Sequence, residues 1–400
     1  MKAATPKIAE IEVLRGLAVL GVLFHHVSGN LVSSNLEWLE TLMSQLHFWW
    51  GVDLFFVISG FVIARQLLPA LQQSLVSQNA KAVIAGFWIR RAFRLLPSAW
   101  LWLLLPLPLV LVFNQTGVFG SLSTNIEATV AGLFNFANFR FADSFFKYDY
   151  GFSFVYWSLS LEEQFYLLLP LLALCFRQKL MWLMLIVVLV QFFQVRSVLM
   201  MSLRTDALAL GVLLAIWSAK PSYQRFEPRF LKASPLSGYL ILVSFLLAMS
   251  FLAAHNDFLP TVRIGLIAVL ATVLVWLASY GRGYLWPTGM VQRLMMWLGA
   301  RSYAIYLIHI PVYFFTRELL YRALAIKEIS ASEHVLLGVA IAGGLTLVLS
   351  QLNYRWVEMP MRQLGSRVAQ RIEPKLQAST GYQQPMLALL NNPISPREQA

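Results

Sequence analysis

The stretch LRGLAVLGVLFHHVSG, Leu14–Gly29, decides how the chain is read. It is apolar over a length close to the ~20 residues that cross a bilayer core, yet it carries Arg15 near one end and His25 and His26 near the other. An ionisable side chain at the centre of a membrane helix costs about 2.5–3.5 kcal/mol on insertion scales, so such residues mark a helix end or a site. Arg15 and His26 are eleven positions apart, which is about three helical turns. They therefore share one face, roughly 16 Å apart along the axis. His25 points about 80° away from that face. The face running from Arg15 to His26 favours His26 over His25 as the functional imidazole.

Composition agrees with a membrane helix. Of 400 residues, 58% are hydrophobic and 12% charged, against about 25% charged in soluble domains. Apolar runs of membrane-crossing length fall at 12–29, 48–68, 96–113, 157–176, 179–196, 203–218, 236–254, 261–280, 300–316 and 334–352. The expected fold class is all-α, a polytopic bundle of about ten transmembrane helices. Residues 1–363 form the membrane domain, and 364–400 read as a polar, disordered cytoplasmic tail. Region 114–156 is a long polar and aromatic loop, partly re-entrant. Only two lysines precede the first run, Arg15 lies inside it and no small-x-small site follows, so it reads as an uncleaved helix rather than a signal peptide.

The formal charge of +12 does not imply nucleic acid, because no basic run is interleaved with aromatics. With the N-terminus cytoplasmic, 23 of the 31 Lys and Arg residues fall on inner segments, and the first outer loop, 30–47, has none. That asymmetry follows the positive-inside rule and predicts that both termini are cytoplasmic, in the inner (plasma) membrane. The single cysteine, Cys175, has no partner for a disulfide or a thiolate metal site. His25 and His26 are adjacent and face different ways, so no metal site is expected.

This topology gives each intramembrane polar residue a depth. His26, Asp53, Glu162, Glu163, Arg204 and Asp206 fall in the outer half of four helices. Their summed cost is too large to be incidental, and they must face one another or a wet cavity. Arg15 and the group Arg90, Arg91 and Arg94 lie at the inner side. Arg90 and Arg94 share a helical face, and Arg91 and Arg94 are three apart.

Seven ordered motifs now fall into place. They are Glu12-x-Leu14-Arg15 with His26, GVDLFFVISGF at 51–61, Arg90-Arg91-x-x-Arg94-x-x-Pro97, and WSLSLEEQFY at 157–166. RTDALALG at 204–211, LGARSYAIYLIHIP at 298–311 and YRWVEMPMR at 354–362 complete the set. Together they resemble the integral-membrane acyltransferase 3 family of bacterial O-acyltransferases over about 10–363. Two departures are visible: Glu12-Val13 stands where the family has Asp-Gly, and His25 stands where it has Phe or Tyr. On the motif alone, either imidazole could be the family histidine.

The resemblance implies transfer of an acyl group, commonly acetyl, from acyl-coenzyme A to a hydroxyl of a carbohydrate or other acceptor. No bound cofactor is implied; acyl-coenzyme A is a substrate. Its phosphates suit Arg90, Arg91 and Arg94, and the pantetheine arm would thread up the bundle from Arg15 towards His26. An acceptor hydroxyl needs a general base, which His26 supplies. Asp53, then Glu163, are candidates to orient it. Glu162 belongs to the same polar group. Arg204 either pairs with Asp206 or steadies developing oxyanion charge. Arg355, Glu358 and Arg362 read as an inner-edge lock, and His309 as a packed, hydrogen-bonded residue. Two other classes compete: a secondary transporter using these groups as a proton relay, and a non-catalytic partner in glycan assembly whose polar groups only join helices.

Overall fold

Each of the ten predicted segments falls on a helix. The computed structural model describes residues 8–373 except 34, 35, 77, 287, 327, 330 and 331. The helices are α1 (Ala9–Asn30), α2 (Trp50–Val76), α3 (Ala80–Leu104), α4 (Tyr156–Phe176), α5 (Leu180–Phe192) and α6 (Asp206–Ser218). They continue as α7 (Pro235–Ala254), α8 (Arg263–Ser279), α9 (Met290–Leu324), α10 (Ser332–Asn353) and α11 (Met359–Ile372). No strand occurs among the described residues. Seven helical stretches are long and apolar enough to cross a membrane. The difference from ten has local causes. Only a three-residue turn, Arg177–Lys179, separates α4 from α5, α8 is 17 residues long, and α9 interrupts its apolar run with Arg301, His309 and several tyrosines.

Two reciprocal glycine contacts set the centre of the bundle. Along the α1–α9 seam, a Cβ on Gly299 would stand 1.9 Å from the Glu12 carbonyl oxygen, and one on Gly16 would stand 2.4 Å from that of Met295. Between α2 and α6, Gly60 and Gly211 lie equally close to the carbonyls of Leu208 and Val57, at 2.2 and 2.3 Å. In lipid, association rests on packing rather than hydrophobic drive, and glycine lets backbones approach. Both seams carry candidate site residues.

Region 114–156 folds over the end of the bundle that holds His26. It contains the helices Leu122–Leu133 and Ala137–Ser144. Buried Asn125 ties its turns by donating to the carbonyls of Phe119 and Ser121 and accepting from Phe152 N–H. Glu318, near the end of α9, receives the backbone N–H groups of Gln115 and Thr116 at 2.7 and 2.9 Å.

At the opposite end, α10 passes through a π-helical turn, Tyr354–Glu358, into α11. Residues 364–372, expected as the start of a disordered tail, are helical. Gly365 and Ala369, one turn apart, seat this helix on α3, with Gly365 against Phe93, while Arg367 and Arg371 stay exposed. The remainder of the expected tail, 374–400, lies outside the described residues.

Candidate active site

Helix α1 carries His26 two residues before it breaks at Ser28 and Gly29, whose φ is +78°. The imidazole meets α9: His26 Nδ1 and His309 Nε2 are 2.9 Å apart, and the two rings stack at 5.1 Å. His309 is fully buried, and its Nδ1 lies 2.7 Å from the Tyr306 carbonyl oxygen. A carbonyl only accepts, so His309 Nδ1 carries the proton. In neutral imidazole the other nitrogen is then an acceptor, and His26 Nδ1–H donates to it. The consequence is chemical: His26 Nε2 keeps its lone pair. Phe154 packs edge-on against the His26 ring at 5.4 Å.

His25 lies outside this pair. Its ring faces His47 at 5.5 Å, and its buried Nδ1 has no protein partner. Of the two adjacent imidazoles it is thus His26 that meets His309.

The carboxylates expected to orient His26 stand elsewhere. Asp53 pairs with Arg204 at 3.2 Å, and both side chains are buried. The guanidinium lies over the indoles of Trp49 and Trp157, at 5.1 and 5.4 Å. Its Nε and Nη1 have no protein partner. Asp206 does not pair with Arg204; it is held by Arg196. Glu163 faces Asn135.

Glu162 turns towards the other end of the bundle. It accepts a hydrogen bond from Tyr166, whose hydroxyl also meets Ser59, and the Arg91 guanidinium lies over the Tyr166 ring at 5.8 Å. Arg91 and Arg94 lie within electrostatic reach of Arg15, which pairs with Glu12 at 3.3 Å. Arg90 leaves this group and pairs with Glu373 at 2.6 Å. Of the three residues expected at the inner edge, Arg362 meets Glu358 at 3.7 Å, while Arg355 is exposed.

Residues that sequence reasoning passed over fill the gap between the ends. Ser158 and Tyr306 share a 2.7 Å hydrogen bond, and the Tyr306 ring lies 5.7 Å from His309. With Tyr166 and Ser59, they line the interior between Arg91 and His26 with hydroxyls. The signal was present: Tyr306 and His309 sit in 298–311, and Ser158 and Tyr166 in 157–166, both among the seven motifs. Among the described residues, no cluster of three or more His, Cys, Asp or Glu side chains is arranged to hold a metal ion.

A family model described as an acyltransferase domain matches residues 8–355. The Bacillus subtilis (strain 168) protein YrhL, provisionally named as a peptidoglycan O-acetyltransferase, is 28% identical over 391 residues, 90% of this chain and 56% of its own. The peptidoglycan O-acetyltransferase OatA of Listeria monocytogenes is 26% identical over 390 residues, with the same two shares. The chain thus spans a little over half the length of these relatives. No solved structure is a significant match.

Proposed function

The chain belongs to the acyltransferase 3 family, and we propose that it is a membrane O-acyltransferase. In this reading it moves an acyl group, acetyl by default, from acyl-coenzyme A to a hydroxyl of a cell-envelope carbohydrate. The names of the relatives favour a peptidoglycan-type acceptor. Both termini face the cytoplasm of the inner membrane, which puts the Arg15 end inside and the His26 end outside.

One observation carries the reading: the hydrogen bond from His26 to His309, with His309 anchored on the Tyr306 carbonyl. It leaves His26 Nε2 as the base. The acceptor hydroxyl gives its proton to Nε2 as its oxygen attacks the thioester carbonyl. The tetrahedral intermediate then collapses, the C–S bond breaks and the proton passes from Nε2 to the leaving sulfur. His309 takes the orienting role first expected of Asp53 or Glu163, since a base held by a third group is the usual arrangement. Arg204, with two unused donors, supplies charge for the oxyanion, and Asp53 holds it in place. Arg196 fixes Asp206 at the start of α6, beside them.

Arg15, Arg91 and Arg94 receive the donor's phosphates, planar guanidiniums being suited to such groups. Arg90 contributes only when released from Glu373. The hydroxyls of Tyr166, Ser59, Ser158 and Tyr306, with Glu162, line the course of the pantetheine arm. Glu163, beside Asn135, supports region 114–156, which meets the acceptor.

The experiment compares surface-glycan acylation by mass spectrometry in a deletion strain complemented with wild type, His26→Ala or His25→Ala at matched membrane levels. Loss of an acetyl-sized increment with His26→Ala alone is expected. A deletion that changes no acyl mark removes the surface-glycan acceptor, and a dead His25→Ala with active His26→Ala removes the assigned base.

A further inference from the structure

Two apolar grooves run along the flanks of α8 near the Arg15 end of the bundle. One, about 360 Å³, lies between α6 and α8 and is floored by Leu213, Trp217, Val273 and Trp276. The other, about 390 Å³, lies between α7 and α8 and adds Ile241 and Phe245. Val273, Trp276 and Phe226 border both, so the grooves are twin channels of similar size that meet at one point. Leu210 to Trp217 spans two turns of α6, about 10 Å, the depth of the upper part of an acyl chain. The walls are rigid there. Trp217 and Trp276 stack at 6.0 Å, Tyr223 stacks on Tyr280 at 4.4 Å, and both indole N–H groups are hydrogen-bonded.

The rim above the meeting point is basic. Arg229 and Arg282 share one carboxylate, Glu227, at 2.9 and 3.4 Å. Arg225 borders the second groove, is exposed, and has no carboxylate partner among the described residues. Three guanidiniums against one carboxylate leave an excess of two positive charges where the chains converge.

We propose that this surface seats one two-chain anionic phospholipid, one acyl chain on each side of α8 and its phosphate at Arg225. The twin grooves specify two chains, and the uncompensated arginines specify the charge. A basic pocket at the cytoplasmic edge of membrane helices suits such a headgroup. The site is remote from His26 and stands whether or not the acyl-transfer reading holds.

The test uses the full chain, purified in mild detergent and studied by native mass spectrometry with added dipalmitoyl phosphatidylglycerol or dipalmitoyl phosphatidylcholine. One phosphatidylglycerol per chain should bind, at least about tenfold more tightly than phosphatidylcholine, as two uncompensated basic side chains require. Arg225→Glu, at an exposed position, should remove that preference. Val273→Trp, which fills both grooves, should release either lipid. Equal binding of the two lipids, no retained lipid, or a four-chain anionic lipid displacing phosphatidylglycerol would overturn the proposal. The wild-type comparison decides even if Val273→Trp fails to fold.

Discussion

His26 and His309 meet through one 2.9 Å hydrogen bond across the α1–α9 seam, and the Tyr306 carbonyl behind His309 fixes which nitrogen of each ring bears a proton. A general base needs an available lone pair and a held orientation, and in the proposed reading this pair would give His26 both. It also separates two roles that a bare pair of histidines leaves mixed: His26 presents Nε2, and His309 positions it.

Substitution of the two residues should therefore differ in degree. His26→Ala should lower kcat by about 10²–10⁴-fold, the usual range for removing a general base. If His26 is the base, as proposed, His309→Ala should lower kcat by about 10–100-fold with little change in KM for either substrate, since its role would run through His26. His309→Gln, whose amide oxygen can accept from His26 Nδ1, should recover part of the loss. Turnover of acyl-coenzyme A in proteoliposomes measures all three. A His309→Ala protein that is fully active would remove the relay.

Asp53 and Arg204 form a buried pair, 3.2 Å apart. Asp53→Ala strands the guanidinium in the interior, and breaking a buried pair from one side costs about 3–5 kcal/mol. Asp53→Leu with Arg204→Met removes both charges and should restore most of the lost thermal stability in detergent. If Arg204 also serves the oxyanion, this stable double variant stays inactive. Recovery of activity along with stability would make the pair structural only.

How much of this was legible before the structure depends on the range of the interaction. The helices were readable because long apolar runs have few alternatives in lipid, and the face of α1 was readable from the spacing of Arg15 and His26. The partner of each polar residue was not. His309 is 283 positions from His26, and nothing local distinguishes an imidazole packed for stability from one that meets a base. Asp53 and Asp206 likewise had no partner fixed by local spacing. Only tertiary packing gives Asp53 Arg204, leaving Arg196 to Asp206. Arg90 and Arg94 share a helical face, yet Arg90 turns to Glu373 because α11 extends past the expected boundary and lies on α3. Small residues at Gly365 and Ala369 were the available hint.

Glu318 lies two residues past the apolar stretch 300–316 and governs region 114–156. Burial alone would raise its pKa. The Thr116 N–H, the Arg322 guanidinium, the Gln115 N–H and the Thr116 hydroxyl outweigh burial and hold the carboxyl at about 2, below its ordinary 4.5. A depressed folded-state pKa contributes stability that is complete above the unfolded value and is lost as pH falls through the folded value. The anchor should thus hold above about pH 4.5 and weaken as pH approaches 2. At neutral pH, Glu318→Gln should speed amide exchange at Gln115 and Thr116 by about tenfold or more, since a charge-assisted anchor is replaced by a neutral one. Unchanged exchange in that segment would show that Asn114, which donates to the Gly120 carbonyl and accepts from Phe119 N–H, holds the turn unaided.

The seam that brings His26 to His309 also makes a distant glycine part of the site's geometry. A Cβ at position 299 would stand 1.9 Å from the Glu12 carbonyl oxygen, 2.8 Å from its carbon and 3.2 Å from Gly16 N. These are backbone atoms, so no side chain can rotate away, and Gly299→Ala must push α1 from α9. Overpacking of this kind costs about 1–3 kcal/mol. The displacement also loosens a hydrogen bond that tolerates only a few tenths of an ångström. Gly299→Ala should therefore lower both the melting temperature and kcat, although Gly299 lies ten residues, almost three turns, from His309. Gly343→Ala, where an added Cβ meets nothing within 4 Å, serves as the matched control and should leave turnover unchanged. Equal effects from the two substitutions would mean that the close approach of α1 and α9 does not set the position of His26.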